Sequence, residues 1–283
     1  MKKQIILSFV GLVVLLSLYL LGKTTSDQKP IANNAPISIK KFDIQSFISS
    51  KRNNINPELS NKIASSEQIV QAEDVSNPEK ITAFNTLATI YKDSLKLQEP
   101  YLYYTSSAAK LDNSEKNLTF AAQLFLTTLR SEQDQSKVEW ESGEAIALFE
   151  KAITINPDND DLKIGLASCF IFGKGRSGDP QQTMKGILEL LAVVRKDSTN
   201  MKAQMLLGIG GYVSGQYDKA ISRLSKVIEN QPGNLEAMAF LADTYAAKGD
   251  KAEAIKWYQI SKRLANDEHY TKEVDNRIKE LQR

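Results

Sequence analysis

Two consecutive stretches of thirty-four residues follow one pattern, and that period constrains the fold more than any other feature of the chain. Met201 to Asn234 reads MKAQMLLGIGGYVSGQYDKAISRLSKVIENQPGN, and Leu235 to Glu268 reads LEAMAFLADTYAAKGDKAEAIKWYQISKRLANDE. In register, Leu207 falls on Leu241, Gly208 on Ala242, Gly215 on Gly249, Ala220 on Ala254 and Leu224 on Tyr258. No stretch after Lys41 alternates with period two for long, so the whole region reads as helix. Self-similarity at such a period marks a stack of repeats, each one burying its apolar face against its neighbours.

In these residues the sequence resembles the tetratricopeptide repeat (TPR) family. That family carries, in order, a large residue, Leu-Gly, an aromatic, a turn glycine, Ala, an aromatic, Ala and Pro. The resemblance implies an all-α fold, a right-handed TPR superhelix of antiparallel helix pairs. Small residues at the eighth, twentieth and twenty-seventh positions let the helices approach closely, and large residues fill the space between turns. The glycine ends the first helix in a left-handed cap and the proline stops the second.

Three further copies precede these two, giving five repeats over residues 81–268. Residues 160–200 carry Leu166, Ala167, Phe170, Gly186, Leu190 and Val193, with seven extra residues around Gly173 to Asp179. Residues 115–159 carry Ala122, Phe125, Ala145, Phe149, Ala152 and Pro157, with a long predicted turn, SEQDQSKVEWESG. Residues 81–114 depart most: Leu95 stands where the turn glycine belongs, and Pro100 opens the second helix. Two short amphipathic helices are expected in residues 42–80, on Phe42 to Ile48 and Leu59 to Val70, packing on the stack. Residues 269–283 are expected to form a closing helix, with Val274, Ile278 and Leu281 covering the end.

The N-terminus is of another kind. Ile5 to Gly22 is an uncharged apolar run, about 27 Å long as a helix and close to the ~30 Å core of a bilayer. A cleaved signal peptide wants a shorter run and a small-x-small site, and Leu18 to Gly22 matches poorly. A bacterial lipoprotein wants a cysteine just after the run, and the one cysteine is Cys169. An uncleaved anchor, one transmembrane helix within residues 1–22, fits best. Lys2 and Lys3 favour a cytoplasmic N-terminus, although Lys23, Lys29, Lys40 and Lys41 oppose that orientation. Residues 23–41, with two prolines and no period, read as a flexible linker reaching roughly 25 Å. The expected location is the bacterial cytoplasmic membrane, with the C-terminal domain in the periplasm.

The rest of the composition narrows the chemistry. A net charge of +2 gives no field for nucleic acid. With one histidine, His269, no multi-histidine metal site can form, and no cofactor or metal is expected. Cys169 falls at a buried small-residue position and reads as a small hydrophobe. Gly173 to Gly178 spells GxGxxG, but it follows a helix, whereas a dinucleotide site needs a preceding strand. A turn between helices is the plainer reading, with a local anion contact through Lys174 and Arg176 as the alternative. Gly210 and Gly211 cost about 1 kcal/mol each inside a helix, and Phe170 or Phe172 is expected to fill the gap at Gly211. Trp140 is either an anchor for the long turn or an exposed contact residue. No nucleophile–base pair or coupled carboxylates stand out, so no catalytic residue is expected and the chain reads as a binder rather than an enzyme or enzyme appendage.

In TPR proteins the first helix of each repeat lines a concave face, with positions 2, 5, 9, 12 and 13 directed into it. The resemblance therefore implies a groove centred on the third and fourth repeats, at Ile164, Ser168, Ile171, Phe172, Met205, Ile209, Tyr212 and Val213. Its ends are polar, with Thr82, Asn85 and Lys92 at one and Glu236 and Asp243 at the other. The lysine–asparagine set with which the chaperone-binding TPR class grips a peptide carboxylate is absent. An apolar segment of a protein or peptide partner is the expected occupant, with no small-molecule substrate. The competing occupant is the pair of helices within residues 42–80. An envelope-assembly scaffold and an N-anchored eukaryotic organelle receptor with a cytosolic TPR domain both satisfy these constraints.

Overall fold

The computed structural model describes residues 41–52, 55–177 and 179–283. The expected anchor and all but the last residue of the expected linker lie outside the described residues. Among the described residues no helix is long and apolar enough to cross a membrane.

Thirteen α-helices and no strand make up the described residues. Helices α1 (Ile44–Ser50) and α2 (Pro57–Gln71) lead in. Five pairs follow: α3 (Asn77–Thr89) with α4 (Gln98–Asp112), α5 (Glu115–Leu129) with α6 (Gln135–Ile155), α7 (Asp160–Phe172) with α8 (Pro180–Lys196), α9 (Met201–Val213) with α10 (Tyr217–Asn230), and α11 (Leu235–Lys248) with α12 (Lys251–Ala265). Helix α13 (Glu268–Gln282) closes the stack, with Val274 buried and Ile278 and Leu281 packed beside it. Short connections force neighbouring helices antiparallel, and the superhelix follows from their repetition.

The helix starts are written into the sequence. Ser114, Asn159, Asn200 and Asn234 end successive repeats, and each side-chain oxygen accepts a backbone N–H from the first turn of the next helix. Such a cap contributes about 1 kcal/mol. Within the pairs, Gly215 (φ 73°) and Gly249 (φ 92°) take the left-handed conformation that the turn requires. The first pair has no glycine there. Helix α3 instead runs into a π-helical turn, Ile90–Ser94, and Lys96 takes the positive φ of 55°.

Two details differ from expectation. The long turn of the second repeat is mostly helix, because Asp134 caps Ser136 N–H at 2.8 Å and nothing from Gln135 to Ser142 breaks the helix. Trp140 therefore lies on α6, half-buried between Phe42 (5.1 Å between ring centroids) and Phe125 (5.3 Å), and acts as an anchor. The gap at Gly211 is filled by neither phenylalanine. A Cβ there would lie 3.2 Å from the Ala220 Cβ, so the partner helix α10 itself closes in.

Helix approach makes a direct prediction. A Cβ on Gly186 would sit 2.8 Å from the Ala167 carbonyl oxygen of α7, whereas a Cβ on Gly143 would meet nothing within 4 Å. Gly186→Ala is expected to lower stability by about 1–3 kcal/mol. Gly143→Ala is expected to raise it by about 0.5–1 kcal/mol through helix propensity. Denaturant unfolding of the two variants checks both signs.

Candidate functional site

The first helices of the pairs lie side by side, and α5, α7, α9 and α11 surround a cavity of about 480 Å³. Its apolar lining comes from Leu126, Ile164, Phe172, Met205 and Ile209. The rim is polar, with Gln123 and Thr127 on α5, Arg130 just past its end, Lys202 on α9 and Glu236 on α11. No residue of α1 or α2 lines it. Those helices pack on the first pair, where Ile48 and Ile63 join Leu87, Tyr91 and Tyr104. They leave this cavity open.

Five of the eight expected groove residues line the cavity: Ile164, Ser168, Phe172, Met205 and Ile209. The Ser168 hydroxyl is already committed, donating to the Ile164 carbonyl at 2.9 Å. Ile171, Tyr212 and Val213 lie elsewhere. Ile171 is fully buried, drawn into the core because Gly186 and Gly210 bring α8 and α9 against it. Tyr212 packs edge-on against Phe240 with ring centroids 6.1 Å apart, and Val213 is exposed outside the cavity. The sequence reading missed the α5 wall. Gln123, Leu126 and Thr127 occupy positions 9, 12 and 13 of the second repeat when the count starts at Glu115, so the same rule finds them.

Arg130 is a further addition, and no repeat position marks it. Its guanidinium sits 4.6 Å from the Phe172 ring centroid and pairs with the Glu236 carboxylate. That pair joins the second repeat to the fifth across the cavity mouth. Both side chains are nearly half exposed, which limits the pair to about 0–1 kcal/mol. Lys202 is held by Asp161 at 3.1 Å, also at the surface.

The remaining candidates resolve into structure. The Gly173–Gly178 segment contains a 3₁₀ turn, Lys174–Ser177, after α7, with no strand before it. Arg176 donates to the Leu129 and Glu132 carbonyl oxygens at 3.2 and 3.1 Å, and Lys174 pairs with Glu139. Both cations are thus spent on the protein: Arg176 at and beyond the C-terminal end of α5, where the helix dipole favours positive charge, and Lys174 on a carboxylate of α6. Cys169 is completely buried, and desolvation pushes its thiol well above the ordinary range. His269 is exposed at the start of α13. Among the described residues no group of three His, Cys, Asp or Glu could hold a metal ion.

Among the carboxyl groups Glu141 departs from this pattern. Glu141 on α6 is 2% exposed, and its Oε2 has no hydrogen-bond partner. Burial pushes its carboxyl up to about 7, and the nearby Glu132 and Glu99 push the same way; Thr128 and Lys137 act in the opposite direction.

Comparison with known proteins agrees with the helix pattern. Tetratricopeptide repeat profiles match residues 214–272 and 141–159. No curated protein matches the sequence. Among solved structures, a tetratricopeptide repeat protein from Parabacteroides merdae is 16% identical, with 84% of this chain and 92% of that chain covered and a TM-score of 0.49. MamA from Desulfovibrio magneticus is 18% identical, over 67% of this chain and 97% of that chain, with a TM-score of 0.48. YrrB, described as a TPR protein with an unusual peptide-binding site, is 18% identical, over 75% and 97%, with a TM-score of 0.45.

Two outcomes are expected here. Glu236→Lys sets like charges across the cavity mouth, so the groove should widen while stability changes by less than about 1 kcal/mol. Spin labels on Thr127→Cys and Asn234→Cys report the distance by pulsed EPR, since buried Cys169 does not label. Glu141 sets a pH dependence. Its folded-state pKa lies above the 4.5 of a free carboxyl, so the unfolded chain ionises first as pH rises. Stability therefore falls from about pH 4.5 to pH 7, by about 3 kcal/mol, and levels off above. Glu141→Gln should remove that slope, stabilising the protein at pH 8 and changing little at pH 4, as urea titrations at the two pH values would show.

Proposed function

We propose that this tetratricopeptide repeat protein is a membrane-tethered scaffold that holds a partner protein by an apolar segment laid in the concave groove. The observation that carries the proposal is the open cavity walled by four repeats, with an apolar floor and a polar rim. An apolar side chain buried there gains about 1.5–3 kcal/mol, and the rim supplies orientation. The tether is the uncharged run from Ile5 to Gly22, whose length suits one bilayer crossing. Lys2 and Lys3 before it support a cytoplasmic N-terminus, with Lys23 and the linker lysines opposing, and in that orientation the repeats of a bacterial protein lie in the periplasm. Such a placement suits assembly or maintenance of envelope complexes. The groove presents no nucleophile–base pair, and binding rather than chemistry is the role assigned to it.

Site-specific photo-crosslinking in native membranes tests the reading. A photoreactive residue at Thr127, on the groove rim, should trap a discrete partner, and one at the exposed Leu188 of α8, which does not line the cavity, should not. Leu126→Asp should abolish the Thr127 crosslink by at least tenfold while the melting temperature falls only a few degrees. Equal crosslinking from both sites, or a crosslink indifferent to Leu126→Asp, would refute groove binding. A C-terminal reporter active only outside the cytoplasm would fit the orientation, and one active in the cytosol would overturn it.

A further inference from the structure

A second pocket, of about 260 Å³, lies where the start of α4 meets the α5–α6 turn, and it shares no lining residue with the concave cavity. Three carboxyl groups line it: Glu99 from α4, Glu132 from the turn and Glu141 from α6. Lys137 answers the first two. Its ammonium pairs with Glu99 and lies 3.9 Å from Glu132. Glu132 is further satisfied by the backbone N–H groups of Gln133 and Asp134, at 2.7 and 2.8 Å. Arg176 approaches the same turn but bonds carbonyl oxygens, not the carboxylates. Glu141 is left over, nine-tenths buried or more, with Oε2 unpartnered.

We propose that this pocket binds an alkylammonium group, which takes its place beside Glu141 as the missing countercharge. Three observations select that chemistry. The carboxyls form no group able to hold a single metal ion, whereas a cation on a short chain reaches one of them at a time. The vacant acceptor is a single oxygen, which suits a compact point charge better than the two-pronged guanidinium. The volume lies below the roughly 300–1,000 Å³ of pockets built for larger ligands, and it matches a short aliphatic amine. Lys137 already shows an ammonium at home between two of these carboxylates. Binding needs Glu141 ionised, so the incoming ammonium displaces the carboxyl proton to solvent, and affinity strengthens as pH rises towards 8.

The ammonium has two possible sources, a free diamine or a lysine side chain of a partner, and the full-length protein distinguishes them. Calorimetry at pH 8 and constant ionic strength uses 1,4-diaminobutane in one arm and N-acetyl-lysine amide in the other. Saturable one-to-one binding of either supports the site, and the tighter of the two names the source. Glu141→Gln should weaken it at least tenfold without unfolding the protein, because the substitution removes a buried acid. Lowering the pH from 8 to 6 should weaken wild-type binding, with proton release seen as a buffer-dependent heat. The proposal fails if neither amine binds at millimolar concentration, if Glu141→Gln binds as wild type does, or if sodium chloride reproduces the heat.

Discussion

Close approach of helices at a few side-chain-poor positions sets the geometry of the whole stack. A Cβ on Gly208 would lie 2.6 Å from Leu224 Cγ, and one on Gly165 would lie 2.4 Å from the Phe149 ring. Gly186 admits the Ala167 carbonyl, and Gly211 admits the Ala220 backbone. Each glycine weakens its own helix by about 1 kcal/mol, and the neighbouring helix fills the space it leaves, with a large side chain at Gly208 and Gly165 and chiefly with backbone at Gly186 and Gly211. Leu224 and Phe149 are buried as a result, and so is Ile171. Because the interior is close-packed, these contacts set the spacing of helices within pairs and, at Gly165, between them.

The groove follows from that spacing. With the first helices of four repeats held side by side, residues three or four positions apart converge on one concavity. The same contacts decide which positions are lost to it. Ile171 has a groove position by repeat count, yet two glycines bring α8 and α9 onto it and it becomes core. The Arg130–Glu236 pair then spans the concavity across 106 positions of sequence. It contributes little stability, and its position at the mouth matters more than its energy.

The second repeat is the least regular region and carries the least ordinary chemistry. Its second helix is 21 residues long and begins well before the repeat pattern resumes. The added turns bring Trp140 under Phe42, Lys137 to Glu99 and Glu141 into the interior. An acid buried without its countercharge is costly, and Glu141 meets that cost by holding its proton near neutral pH.

The sequence by itself determined the helical class, the repeat period, the caps that begin most of the helices and the part of the concave wall on α7 and α9. Those are local properties: a period, a capping residue and a glycine at a turn act within one or two helical turns. It also specified that Gly173 to Gly178 follows a helix, which is enough to exclude a dinucleotide turn. Tertiary structure decided what depends on distant partners. Ile171 left the groove, Tyr212 turned to Phe240, and the α1 and α2 helices settled on the first pair instead of in the cavity. Arg130 found Glu236, and Glu141 was buried beside Glu99 and Glu132 with one carboxyl oxygen unpartnered. Each of these outcomes is a meeting between residues far apart in the chain, and no period of thirty-four residues encodes it.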